Sequence, residues 1–251
     1  MAEPRTAAPA FYARHGGRAA DWWTLLHPPY TVWHLSYVVL GAAMAPEVDL
    51  VALGASVLAF FLAVGLAAHA LDELSGRPLR TRITDRSLQA VAALSLAAAC
   101  GLGIFGAFLR GPTNWPLAVA IPVGAVLLVG YNLELFGGRL HNDATFAWAW
   151  GGFPVAVGFV AQAPEVSWSV LLAAVAATLA GVGTSYAQRR LSTPARELRR
   201  RTAEVSGTIT RTDGRVAPLD STTLLLPLEG ALRALSWALP AVALAALSAR
   251  L

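Results

Sequence analysis

Apolar residues along this chain come in long uninterrupted runs separated by short polar breaks, with neither the alternation of a half-buried strand nor the one-sided stripe of a soluble helix. Runs near residues 29–46, 50–71, 88–110, 113–133, 144–163, 166–187 and 228–249 each approach the ~20 residues needed to cross a ~30 Å hydrocarbon core. The pattern predicts an all-α protein, a polytopic transmembrane helical bundle of about seven spans. It reads as a single transmembrane domain over residues 1–251. Residues 1–28 form a cytoplasmic or interfacial N-terminal segment and 188–221 a cytoplasmic loop. Within that loop, Asp213-Gly214 between β-prone flanks predicts a hairpin with a two-residue turn. Pro122, Pro154 and Pro240 fall inside spans, where a kink can open a cavity.

Composition agrees, with 56% hydrophobic and 14% charged residues. The net charge of +4 comes wholly from arginine, because the chain has no lysine. With the N-terminus inside, the inner segments carry Arg5, Arg14 and Arg18, then Arg77, Arg80, Arg82 and Arg86, then Arg139, then eight arginines from Arg189 to Arg215. The outer segments carry only Arg110 and Arg250, and "APEVD" and "APEVS" make very short outer connections. This asymmetry follows the positive-inside rule and places the protein in the cytoplasmic membrane with an inward N-terminus. The arginine excess is thereby read as topology and not as a nucleic-acid footprint; membrane lipids are the expected neighbours. Residues 1–28 lack the apolar core of a cleavable signal, so the first span is expected to direct insertion itself. Cys100 is the only cysteine, which excludes an intrachain disulfide and a multi-cysteine metal cage.

Chemistry is therefore expected at the inner face. His69, Asp72 and Glu73 fall on one helical face at the inner end of the second span. Two readings are open: the acids end the helix among headgroups and pair with Arg77 or Arg80, or they face a wet cavity. His34 lies one turn into the first span, as a bonded core histidine or a substrate contact. Tyr131, Asn132 and Glu134 close the fourth span, and Arg139, His141, Asn142 and Asp143 precede the fifth, with Asp143 as cap or functional acid. Carboxylate and amide oxygens of this kind suit Mg²⁺, whereas the histidines admit iron or zinc. Arg189 to Arg201 holds six arginines and Glu197, either a solvated anionic-lipid clamp or a grip on a diphosphate. Glu229 and Arg233 read as a structural intramembrane pair. Phe146, Trp148, Trp150 and Phe153 read as core packing or as shelter for a carbocation, with Gly151 and Gly152 permitting close helix approach.

Over residues 27–200 these features resemble the UbiA superfamily of intramembrane prenyltransferases. "HPPYTVWHLSYVVLGA" resembles that family's first helix, and "HALDELSGRPL" its first aspartate-rich motif, N-D-x-x-D followed by R-P. "YNLELFGGRL" is similar to its tyrosine and basic segment after the fourth helix. The resemblance implies a helical bundle around a cavity that binds an isoprenyl diphosphate through Mg²⁺, held by two acidic motifs on the cytoplasmic side. His69 stands where the asparagine would be and Ala70 where the first aspartate would be, which leaves Asp72 and Glu73 as the expected metal ligands. In place of the second motif, "TSYAQRRLSTPAR" offers Gln188, Arg189 and Arg190.

The expected function is ionisation of an isoprenyl diphosphate for prenyl transfer or terpene cyclisation. Catalytic roles fall to His69, Asp72, Glu73, Tyr131 and Asp143. Substrate contacts are expected from His34, Asn132, Arg77, Arg139, His141, Trp148, Phe153, Tyr186, Arg189 and Arg190. Two alternatives stand beside it. One is a membrane metalloenzyme using His34, His69 and His141 with Glu73, Glu134 and Asp143 on a lipid-like substrate. The other is a non-catalytic lipid-binding or scaffolding relative that kept the fold.

Overall fold

The structure is a computed structural model describing residues 9–14, 16–111, 114–162 and 167–251. Arg5 and most of "APEVS" lie outside the described residues. The chain is mostly helical: α1 (Arg18–Leu25), α2 (Pro28–Ala43), α3 (Leu50–Leu74), α4 (Asp85–Arg110), α5 (Trp115–Asn132), α6 (Asp143–Gln162), α7 (Trp168–Arg200) and α8 (Ser221–Ser248). Helices α3 to α8, six in all, are long and apolar enough to cross a membrane, which fits an integral membrane protein. Helix α2 has only 16 residues, about 24 Å at 1.5 Å per residue.

Local sequence explains where the helices start. Asp49, Thr84, Asn142, Ser167 and Asp220 each accept a backbone N–H from the first turn that follows, the expected behaviour of short polar caps. Helix α2 instead opens on Pro28 and Pro29 after His27 in the left-handed region (φ 46°). Two helices contain π-helical turns, Phe61–Ala68 in α3 and Trp148–Gly152 in α6. Such insertions rotate every residue beyond them relative to the regular helical face, and they recur at functional sites.

Three expectations are corrected. The helix expected to stop at residue 187 continues unbroken to Arg200, through Pro194, so the connecting segment is 201–220 and not 188–221. The last helix begins at Ser221, ahead of the expected residue 228. The hairpin exists as β1 (Thr208–Thr210) against β2 (Val216–Pro218), but Arg211 and Arg215 also pair through their backbone. Its turn is therefore longer than the two residues Asp213-Gly214.

Successive long helices run antiparallel, which gives the bundle two distinct ends. At the sparse end Arg110 pairs with Asp49 at 2.8 Å, the Asp49 N–H bonds Gln162, Asn114 bonds the Val160 carbonyl and Arg250 bonds the Ala43 carbonyl. The arginine-rich end gathers His27, Asp72, Asn132, Asn142 and the end of α7. Helix α2 is central, packed on α6 and α8. Its approach to α6 depends on glycine, since a Cβ at Gly158 would lie 2.2 Å from the Val38 carbonyl oxygen. Within this core the Trp33 indole donates to Tyr37, whose hydroxyl meets Thr184 at 2.8 Å. The outer surface of the bundle is apolar, with Val51, Phe108, Trp168 and Trp237 each 80% exposed or more.

Candidate functional site

Glu73 is the most completely buried acid at the arginine-rich end, and its partners are all local. One carboxylate oxygen accepts the Leu79 N–H at 2.9 Å; the other accepts the Thr81 N–H at 2.9 Å and the Thr81 hydroxyl at 2.8 Å. Glu73 thus clasps the loop after α3, where Gly76, Arg77 and Arg80 have positive φ. Arg77 does not pair with Asp72 or Glu73. It bonds the Ile83 carbonyl and the Asp85 carboxylate, along its own loop and away from any cavity. The expected Asp72–Glu73 metal pair is therefore not assembled, because both Glu73 oxygens are committed to the loop. Among the described residues no group of three or more His, Cys, Asp or Glu side chains converges as a cation cage. As placed, the residues do not fit the Mg²⁺ site that the UbiA resemblance implies, nor the three-histidine alternative.

Asp143 is committed in a different way. Asn142, not Asp143, caps α6, and the Asp143 carboxylate holds Arg189 at 3.1 Å and Arg190 at 3.7 Å. Asn132 bonds the Leu128 carbonyl behind it, and Arg139 is exposed. Trp148 and Tyr186 face outward, 54% and 45% exposed, so neither reaches the interior as a substrate contact. Helical phase explains Trp148, since it opens the π-helical turn that carries Trp150 inward.

The other expected residues form a continuous interior wall. Tyr131 stacks on His141 (4.5 Å between ring centres) and lies 4.5 Å from Trp150, and Phe146 stacks on Trp150 at 5.5 Å. His34 meets the Trp150 carbonyl through Nδ1 at 2.9 Å and the Phe146 ring at 6.0 Å; the Arg189 guanidinium lies 5.4 Å from Phe146. On the far side of this wall is a cavity of about 160 Å³, lined by Phe60, Ala99, Cys100, Ile121, Trp150 and Phe153 among other apolar groups. Ser56 and Arg110 are the polar exceptions in its lining, alongside the thiol of Cys100. Trp150 belongs to both the cavity lining and the aromatic wall.

On the arginine side of the wall lies a second cluster that sequence reasoning missed in part. The His27 ring packs edge-on against His69 at 4.1 Å, and Tyr12 covers His27 at 5.0 Å and Tyr30 at 5.4 Å. His69 Nδ1 is taken by the Gly65 carbonyl one turn back. Burial, then the neighbouring His69, holds the His27 imidazole well below its ordinary value, and burial followed by Tyr30 pushes the Tyr12 phenol up. Asp72 lies within electrostatic reach of Arg196, Arg200 and His141. Among the described residues, the buried polar atoms without a protein partner toward this end include His27 Nε2, Tyr131 Oη, Ser185 Oγ and Gln188 Oε1. His27 and Tyr30 fall inside "HPPYTVWHLSYVVLGA" without an expected role, and Tyr12 lies outside every motif. The one available signal for Arg196 and Arg200 was their spacing of four, which extends the helical face once α7 is known to continue.

Residues 9–14 form a strap across this cluster. The Arg14 N–H donates to the Thr24 hydroxyl at 2.9 Å, the Trp23 indole donates to the Tyr12 carbonyl at 3.2 Å, and Arg200 donates to the Pro9 carbonyl at 3.0 Å. Comparison with family models, curated proteins and solved structures finds no match.

Proposed function

We propose that the protein is a UbiA-like intramembrane enzyme acting on an isoprenyl diphosphate, with seven spans, an inward N-terminus and the arginine-rich end at the cytoplasmic face of the cell membrane. Helix α2 is the seventh span in this reading, its 16 residues extended toward the headgroups by His27 and Ala45. The observation that carries the proposal is the double position of Trp150. It lines an apolar cavity suited to a hydrocarbon chain and, through Tyr131 and Phe146, borders a cluster supplied with arginine and histidine. A substrate with an apolar tail and an anionic head matches that order of environments.

In this reading the carbon–oxygen bond next to the diphosphate breaks with its electron pair leaving on pyrophosphate. The arginine side takes up that charge, and the faces of Trp150, Phe146 and Tyr131 stabilise the allylic cation. Transfer to an acceptor and closure on the substrate's own double bonds remain the two routes for that cation. The test is incubation of the purified protein with isoprenyl diphosphates of graded length and assay of released pyrophosphate. Release that falls by roughly tenfold or more in Trp150→Ala, as expected of a ring facing the cation, supports the proposal; absence of release with every diphosphate and divalent cation tried overturns it.

A non-catalytic lipid-binding relative is the second reading, favoured by the commitment of Glu73 and Asp143 to structural partners. Its outcome in the same assay is diphosphate binding without turnover.

A further inference from the structure

Glu73 and Asp143 are committed to structural partners and only Asp72 is left over, whereas the arginines facing the buried cluster lack a carboxylate partner among the described residues. Arg189 and Arg190 share Asp143, Arg77 pairs with Asp85, and Arg199 and Arg233 share Glu229. Arg196 and Arg200 have no carboxylate within ion-pair distance among the described residues. Arg196 has only a long 3.4 Å contact to Thr193, and Arg200 donates to the Pro9 carbonyl of the strap. Arg200 reaches the strap at Pro9 and Arg196 lines the space beneath it with Tyr12 and Tyr30, so both guanidinium groups lie on the strap side of the cluster, within electrostatic reach of Asp72 and His27. His27, 8% exposed, adds an unpartnered Nε2 there. Beside this region, a void of about 20 Å³ under the strap, bounded by Tyr12, Tyr30, Arg196 and the Arg199–Glu229 pair, has room for about one water.

We propose that Arg196, Arg200 and His27 form an anion site beneath residues 9–14 that grips a phosphate-type head group directly, with no bridging divalent cation. The inference rests on the isoprenyl diphosphate reading for its occupant and deepens it, placing the head group about two to three helical turns beyond Arg189 and Arg190. Two guanidinium forks match phosphate oxygens in two-point contacts. Asp72, the one acid of the motif left uncommitted, offsets one of the two positive charges, and His27 Nε2, as the N–H tautomer of the neutral ring, contributes a further donor. The present void is too small for a phosphate, so the strap must lift to admit one.

The experiment is titration of the full-length protein, in nanodiscs of neutral phosphatidylcholine, with inorganic pyrophosphate in EDTA and again in Mg²⁺. The expected result is saturable binding in EDTA, weakened roughly ten- to a hundredfold by Arg196→Gln and by Arg200→Gln, as for loss of a charged hydrogen bond. Binding is partly restored by Arg196→Lys and unchanged by Arg201→Gln on the exposed side. Thermal unfolding of each variant verifies that it is folded, and Arg196→Lys retains the charge if Arg196→Gln does not fold. Displacement of pyrophosphate by an isoprenyl diphosphate identifies a substrate site, and displacement by phosphatidic acid in the disc identifies a lipid headgroup site; both support a metal-free anion site. No binding, binding only with Mg²⁺, or equal binding in all variants overturns it. Binding that behaves as expected without pyrophosphate release from any isoprenyl diphosphate sustains the site and removes the enzymatic reading.

Discussion

The two ends of the bundle use similar residues to opposite effect. At the sparse end, Asp49, Arg110, Asn114 and Arg250 each reach across to another helix or to its backbone and are used up in doing so. There Gln162 Nε2 is the one buried side-chain atom left over among the described residues. At the arginine-rich end, Glu73 and Asp143 are likewise consumed, but among the described residues Arg196 and Arg200 have no carboxylate partner and His27 Nε2, Tyr131 Oη and Gln188 Oε1 have no hydrogen-bond partner. Polar groups withdrawn from water cost free energy unless paired. A protein that satisfies one end and leaves such a surplus at the other is arranged for something that arrives there.

Removing the clasp at the rich end gives the largest expected effect. Glu73→Ala leaves three donors of the Leu79–Thr81 loop unsatisfied and is expected to destabilise the protein by roughly 3 kcal/mol or more, read as a lower unfolding temperature in detergent. Retention of wild-type stability would show that the loop does not depend on Glu73. The next effect is that of pH. The His27 pKa is depressed in the fold relative to its ordinary 6.5, so the unfolded chain binds more protons once pH drops through that value. Stability from this group is full above about pH 6.5 and is lost as pH falls below it. The His27→Asn variant should show a shallower acid slope in unfolding temperature between pH 7.5 and 5.

Smaller still is Thr24→Val, which removes the hydroxyl mooring Arg14 and is expected to cost about 1 kcal/mol locally. Hydrogen exchange should then quicken in residues 9–14 while the centre of α2 stays protected; equal protection would mean that the strap is held by other contacts. At the sparse end, Arg110→Ala removes a partly exposed ion pair and is expected to change stability by less than about 1 kcal/mol. It should leave anion binding unchanged. A comparable loss of binding from Arg110→Ala and Arg196→Gln would erase the contrast between the ends.

Much of the architecture was legible beforehand, and the misses have physical causes. The apolar runs located four of the six long helices to within a few residues at both ends, because hydrocarbon length is a linear property that hydropathy reports directly, while α7 outran its run by 13 residues and α8 began seven before its own. The end of the sixth run was misread because arginine interrupts hydropathy without interrupting a helix, so α7 continues past Gln188 and turns Arg196 and Arg200 toward the cluster. At the site, His34, His141 and Arg189 each touch the aromatic wall of Tyr131, Phe146 and Trp150. Glu73 and Asp143 were placed at the right end but with partners no spacing rule could supply. Trp148 and Trp150 exchanged importance because a π-helical turn shifts the phase on which spacing arguments rest.

The amino-acid order alone determined that the chain forms long apolar helices, and it concentrated arginine at alternate connections; both follow from free energies of transfer that add residue by residue along one segment. Which acids stay available, which arginines remain unneutralised and where the aromatic wall divides cavity from polar cluster were decided only in three dimensions. Those outcomes depend on loops folding back, as Leu79 and Thr81 do onto Glu73, and on helices far apart in the chain meeting at distances of a few ångströms.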